Sequence, residues 1–297
     1  MMRHVVLVVN PSAGRGKVAM ELDRLLASMA RLSPRLWETR QPGDASALAR
    51  KAAEGGADVV VAVGGDGTVN EVVNGLIDGD RPVGSAALAV VAAGSGCDFA
   101  RSFDLPGHVP DSIGLDQSLG LLDVGKIECD GPAGRTVRYF VNVAEAGLGA
   151  ATVANALRFP RRLGRSRYII AFWPTLARFH PQDLTVTVDG RAHRETAHNV
   201  VVANARFFGG GMHISPRSHT DDGKLEVQVS IGPKRQAFTL IPRIYRGTHL
   251  PDDRILEMSG SVVRIEGATM PVEADGEMVG ATPATISVLP GLLELVA

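Results

Sequence analysis

The chain has 297 residues, 45% hydrophobic and 21% charged, which is enough for two domains or one large one and too apolar for disorder. Its 31 Lys and Arg against 32 Asp and Glu give a net charge of -1, which argues against a coat of basic charge for nucleic acid. The two cysteines, Cys97 and Cys129, belong to no CxxC pair, so neither a disulfide scaffold nor a cysteine zinc site is expected.

The first apolar run, residues 5–9, reads as a strand and is too short for a signal-peptide core. A helical pattern follows over 17–32, with Leu22, Leu25, Leu26 and Met29 on one face. A short strand at 36–39 precedes the turn Pro42-Gly43-Asp44, where Asp44 is the expected N-cap of a helix over 45–54. Residues 59–63 form a strand that runs into a glycine-rich turn and a helix over 69–77, and 88–91 is a further strand. Strands alternating with helices predict a parallel sheet covered on both faces, the first half of an α/β plus β protein. Beyond Asp123 strand follows strand, at 136–143, 184–188, 199–203, 225–230 and 262–266, with helices near 148–159 and 166–179. That half reads as mostly antiparallel. The expected domains are 1–124, with 289–297 returning to it, and 125–288. No segment reaches the roughly 20 apolar residues of a membrane span, so a cytoplasmic protein is expected.

Three turns place glycine directly after a strand: Asn10-Pro11-Ser12-Ala13-Gly14, Gly64-Gly65-Asp66-Gly67-Thr68 and Gly94-Ser95-Gly96. In an open parallel sheet ligands bind at the carboxyl ends of the strands, and glycine lets backbone approach a phosphate there. The familiar phosphate loops are absent. Around Lys17 a Walker loop would need glycine where Pro11 stands and Ser or Thr where Val18 stands. The dinucleotide fingerprint would need glycine where Asn70 stands. GGDGTVNE, residues 64–71, is different: a carboxylate inside a phosphate-binding turn makes electrostatic sense when Mg2+ bridges it. Thr68 is expected to cap the following helix and to donate to a phosphate. An unliganded Gly-Asp-Gly turn is the plain alternative.

With NPSAG at 10–14, Thr39 before Gly43-Asp44-Ala45, GGDGTVNEVVNGL at 64–76, GSGCDFAR at 94–101, FGGGMHISP at 208–216, DDGKLEV at 221–227 and DGE at 275–277, the sequence resembles the catalytic domain of diacylglycerol, sphingosine and ceramide kinases and bacterial lipid kinases. The resemblance covers essentially the whole chain. It implies a three-layer N-terminal domain like that of NAD kinases and phosphofructokinases, and a C-terminal β-sandwich. It implies ATP binding by Asn10, Pro11, Ser12, Ala13, Gly14, Thr39, Gly64, Gly65, Asp66, Gly67, Thr68, Val69, Asn70 and Ser95. It also implies that Asp66 organises phosphates and Mg2+ and that Glu277 accepts the proton. Asp98 and Asp275 are further candidate carboxylates. A structural Mg2+ would be held by the Asp222 side chain and the carbonyls of His219 and Lys224, an oxygen-only set that suits a hard cation.

The expected reaction is ATP- and Mg2+-dependent phosphorylation of a lipid hydroxyl, with diacylglycerol giving phosphatidic acid. Cys97 stands where bacterial diacylglycerol kinases usually carry an amide, and the preceding AGS is similar to sphingosine and ceramide kinases; ceramide or a sphingoid base is therefore the second reading. NAD kinase and an inactive nucleotide- or lipid-binding protein are more remote ones. The segment 158–174 carries five arginines within ten residues and then an aromatic run, which suits either an anionic membrane surface or a solvated core helix. An open sheet edge would permit a homodimer.

Overall fold

The structure is a computed structural model. It describes residues 3–93, 97–105, 115, 117–131, 134–160, 163–164 and 166–297. The chain forms two compact units, Met1–Val124 with Leu289–Ala297, and Gly125–Val288.

The first unit runs β1 (Val5–Val9), α1 (Lys17–Ser28), β2 (Arg35–Glu38), α2 (Asp44–Glu54), β3 (Val59–Gly64), α3 (Asp66–Gly75), the small hairpin β4 (Ile77–Asp78) and β5 (Arg81–Pro82), β6 (Ala87–Ala92) and α4 (Asp98–Ser102). β2, β1, β3 and β6 lie side by side and parallel, and the end of the last strand adds beside β6 with Leu295 opposite Leu88. Every residue of β1 and β3 is buried, as continuous apolar runs demand when helices cover both faces. α1 stops at Ser28, earlier than the apolar pattern suggests. The buried Met29 donates to the carbonyls of both Leu25 and Leu26, and the last turn tightens into a 3-10 helix over Ala30–Leu32. Asp44 is not the N-cap of α2: Gly43 is, and Asp44 accepts from Arg40 N and Gln41 N instead.

The second unit takes the end of β7 (Ser118–Gly131), then β8 (Gly134–Phe140), β9 (Val143–Gly147), α5 (Leu148–Ala156), α6 (Ser166–Arg178), β10 (Gln182–Val188), β11 (Arg191–Ala197), β12 (Asn199–Ala203), β13 (Leu225–Ser230), α7 (Ala237–Arg246), β14 (Ile255–Gly260), β15 (Val262–Gly267), β16 (Pro271–Ala274) and the start of β17 (Glu277–Val296). Among the described residues β8 pairs antiparallel with β7, and the strands of the two runs below pair antiparallel throughout. One run is β14, β13, β12, β9, β16, β17; another is β17, β15, β10, β11. Both runs feed one apolar core: Ala146, Val200, Val227 and Val272 from the first meet Val186, Ile265 and Ile286 from the second. The run 136–143, expected as a single strand, is two strands broken at Val141 and Asn142. α7 has no counterpart in the sequence expectation.

Candidate active site

In the first unit the parallel register puts Val9 opposite Val63 and Gly64 opposite Ala92, so the loops after β1, β3 and β6 leave one edge together. β1 connects outward to β2, whereas β3 connects the opposite way to β6. The crevice between the ends of β1 and β3 is thus the switch point where open α/β sheets bind ligands. Both strands deliver the expected residues there. Asn10 N donates to Val63 O at 3.0 Å, Asn10 Nδ2 donates to Thr68 Oγ1 at 3.2 Å, and Asn10 Oδ1 accepts from Ser12 N at 3.1 Å. Asn10 thereby ties its own loop to the loop after β3. Gly64 is required for packing: a Cβ there would strike the Thr68 hydroxyl.

Gly65, in extended conformation, is the N-cap of α3, and its carbonyl accepts from Thr68 N and Val69 N. Thr68 is consequently not the cap; it lies buried in the first turn with its hydroxyl on Asn10. Asp66 is half-buried at the same helix start, where free N–H groups and the helix dipole favour anions. Its Oδ1 accepts from Phe99 N at 3.0 Å, which links this loop to the first turn of α4. Asn70 is buried one turn on and its carbonyl accepts from Asn74 Nδ2. Thr39 continues the edge, donating its N–H to Val9 O at 2.9 Å. Glu71, unnoticed as a positioning group in the sequence, accepts from Gly43 N at 3.0 Å and Ala45 N at 3.2 Å, and so docks the 40–45 loop on α3. Asp98 is buried, 3.7 Å from Arg101. Ser95 lies outside the described residues.

In the second unit the Asp275-Gly276-Glu277 turn separates its two acids. Asp275 is buried, with φ 49°. Its Oδ2 accepts from Val141 N, and its Oδ1 from Asn142 N and Val143 N, at 2.9–3.0 Å. Asp275 N returns a bond to Val143 O at 2.9 Å. That carboxylate is spent on the backbone break between β8 and β9. Glu277, two residues on, is exposed and projects no such bond. Sequence reasoning could not separate the two.

The loop expected to hold a structural metal is a tight turn ahead of β13, where Asp222 Oδ1 accepts from Lys224 N at 3.0 Å. Among the described residues no group of three His, Cys, Asp or Glu side chains could hold a metal. The donor set at this turn, one exposed carboxylate plus main-chain carbonyls, fits a hard divalent cation. In the FGGGM segment His213 stacks on Phe207 with ring centroids 4.5 Å apart, which makes it a packing group.

Residues 4–127 match the diacylglycerol kinase catalytic domain family, and 142–297 match the YegS C-terminal NAD kinase beta sandwich-like domain family. A diacylglycerol kinase of Mycobacterium tuberculosis is 30% identical over 302 residues, covering 98% of this chain and 94% of the relative. One from Bacillus subtilis is 26% identical, covering 95% and 92%. The crystal structure of a diacylglycerol kinase from Bacillus anthracis superposes with a TM-score of 0.75 at 23% identity, covering 99% of this chain and 96% of that one, and has the same fold. The chain belongs to the diacylglycerol kinase family of lipid kinases, and so is a phosphotransferase with an alcohol group as acceptor. The family implies ATP as the phosphoryl donor.

Proposed function

We propose that this kinase phosphorylates the free hydroxyl of diacylglycerol to give phosphatidic acid, using ATP and Mg2+. The observation that carries the reading is the set of loops on one sheet edge, with Asp66 at the start of α3 beside the β1–β3 crevice. The diacylglycerol kinases among its relatives support this acceptor. Asn10–Gly14, Thr39, Gly64–Asn70 and Ser95 are the proposed nucleotide contacts. Asp66 would hold the catalytic Mg2+, and Asp222 with the carbonyls of His219 and Lys224 a structural one. The bound cation would neutralise charge on the transferring phosphate. The acceptor oxygen attacks the γ-phosphorus, the bond to the ADP oxygen breaks, and Glu277 takes the hydroxyl proton. Glu277 is preferred over Asp275 because Asp275 has both oxygens committed to buried amides.

A panel of diacylglycerol, ceramide, sphingoid base and NAD with labelled ATP tests the assignment. Diacylglycerol is expected to be labelled at least tenfold faster than the others, and Asp66→Asn to lower that rate by about 10²-fold or more. Faster labelling of ceramide would overturn the acceptor, and an active Asp66→Asn enzyme would overturn the role of Asp66.

The second unit also carries a face suited to a membrane surface. α6 packs inward through Ala171, Thr175 and Leu176, with Asn155 Nδ2 of α5 donating to Thr175 Oγ1 at 2.8 Å. Its outer face shows Ile169, Ile170 and Trp173. Trp173 stacks on Phe238 of α7 at 4.9 Å, and Tyr245 extends the ridge. Phe238 is 66% exposed, an expensive way to display an aromatic unless something apolar receives it. Arg178, Arg235 and Arg246 are exposed on or beside the same helices. Apolar side chains flanked by cations fit an anionic bilayer, where the lipid substrate resides. No helix among the described residues is long and apolar enough to cross a membrane. Sedimentation with phosphatidylglycerol-containing vesicles is expected to weaken about tenfold or more in a Trp173→Ala, Phe238→Ala double variant. Equal partitioning of the variant and the parent enzyme would remove this face from membrane binding.

A further inference from the structure

β9 and β16 pair antiparallel with Glu145 directly opposite Glu273. Directly opposed residues share a face, with Cβ atoms about 4.5–5.5 Å apart. Both are inside the protein, Glu273 at 0% exposure. Along that row the outer neighbours are apolar, Val201 on β12 and Met278 on β17. Glu145 Oε1 accepts from Asn199 Nδ2 at 2.9 Å, and Asn199 Oδ1 accepts from Gly149 N at 2.9 Å. The start of α5 closes over the pair, and a Cβ at Gly149 would strike the Glu145 carboxylate. Glu273 Oε2 accepts from Gly276 N at 2.7 Å, inside the turn that carries Glu277. Its other oxygen, Oε1, is buried without a partner.

An unpartnered carboxylate oxygen beside a second buried carboxyl is a poor place for two charges and a good place for a proton. The other charged groups acting on Glu273, Asp275 and Glu277, are acidic too. β12 offers Asn199, which is neutral, α5 contains no titratable residue, and β8, which also approaches β16, carries Arg135, Arg138 and Tyr139. We propose that Glu145 and Glu273 are positioning residues that share one proton, Glu273 Oε1 donating to Glu145, so that Glu273 Oε2 stays on Gly276 N and fixes the turn from which Glu277 works. Burial pushes the Glu145 carboxyl up to about 7, and burial, then the neighbouring Glu145, raises Glu273 well above the usual carboxylate range. This inference rests on Glu277 as proton acceptor.

The sign of the pH dependence follows from the raised carboxyls. Above the ordinary glutamate value of 4.5 the folded chain holds protons that the unfolded chain has lost. Stability therefore falls as pH rises, through about 7 for Glu145 and further for Glu273. Urea midpoints measured from pH 4.5 to 9 are expected to change less steeply with pH in Glu145→Gln and in Glu273→Gln than in the parent enzyme. The alkaline limb of kcat should shift upward by about one pH unit or more in Glu145→Gln, because a carboxamide donates to Glu273 Oε1 at every pH. If neither variant changes the slope of stability with pH, no proton is shared. If the slope changes while the kcat profiles superimpose, the pair is structural and does not position Glu277. Glu277→Gln run in parallel separates this from the underlying reading: parent-like turnover there removes Glu277 as the base while leaving the stability slopes intact.

Discussion

Glu277→Gln is expected to turn over about 10²–10⁴ times more slowly than the parent enzyme, the range that loss of a positioned general base costs. The amide keeps the size and hydrogen-bonding capacity of the side chain but has no lone pair basic enough to take the hydroxyl proton. Because Glu277 is exposed, its replacement should leave the urea midpoint within experimental scatter. The KM for the lipid should move little, since a base that acts as the hydroxyl attacks contributes mainly to the transition state. Steady-state kinetics with labelled ATP, alongside a urea melt, reads both. Turnover within fivefold of the parent would transfer the proton to another acceptor, and Asp98 would then be the next carboxylate to examine.

Asp275→Ala should show the reverse pattern, with stability lost first and activity lost as a consequence. Removing the carboxylate strands the buried N–H groups of Val141, Asn142 and Val143. At about 1–3 kcal/mol for each orphaned buried donor, a loss of about 3 kcal/mol or more is expected. That is a large fraction of the 5–15 kcal/mol typical of a domain. Asp275→Asn keeps an oxygen for two of the three amides but sets an NH2 against the third, so it should recover only part of the loss. An alanine variant whose urea midpoint matches the parent would show that water replaces the clamp without cost.

The same clamp explains where reading the sequence stops. β1, β3 and β6 are legible because Val5–Val9, Val59–Gly64 and Ala87–Ala92 are buried on both faces and so appear as unbroken apolar runs. The glycine loops at their ends are legible for the same reason, and Asn10 and Asp66 lie on them, whereas Thr68 sits inside the first turn of α3 and not at its cap. The division between β8 and β9 is not legible: a lone Asn142 between valines, with no Gly or Pro, is a weak turn signal, and the break is held by Asp275 from far along the chain. α7 is obscured by Pro242 within it and by having only Leu240 buried. Glu145 and Glu273 look like ordinary charged residues in short strands. Only the register of β9 against β16, which sets them opposite each other, gives them a joint role.

The last strand has a consequence for biosynthesis. Leu293, Leu295 and Val296 are buried in the first unit, Leu295 pairs with Leu88 of β6, and Ala297 exchanges backbone hydrogen bonds with Gln117. A ribosome therefore has to synthesise the whole second unit before the parallel sheet of the first can gain the strand beside β6. The usual order, in which the N-terminal domain finishes first, is denied to this chain. An emerging polypeptide would expose the β6 edge while the β-sandwich folds, and a nascent chain stalled short of Leu289 should be readily proteolysed in its first unit.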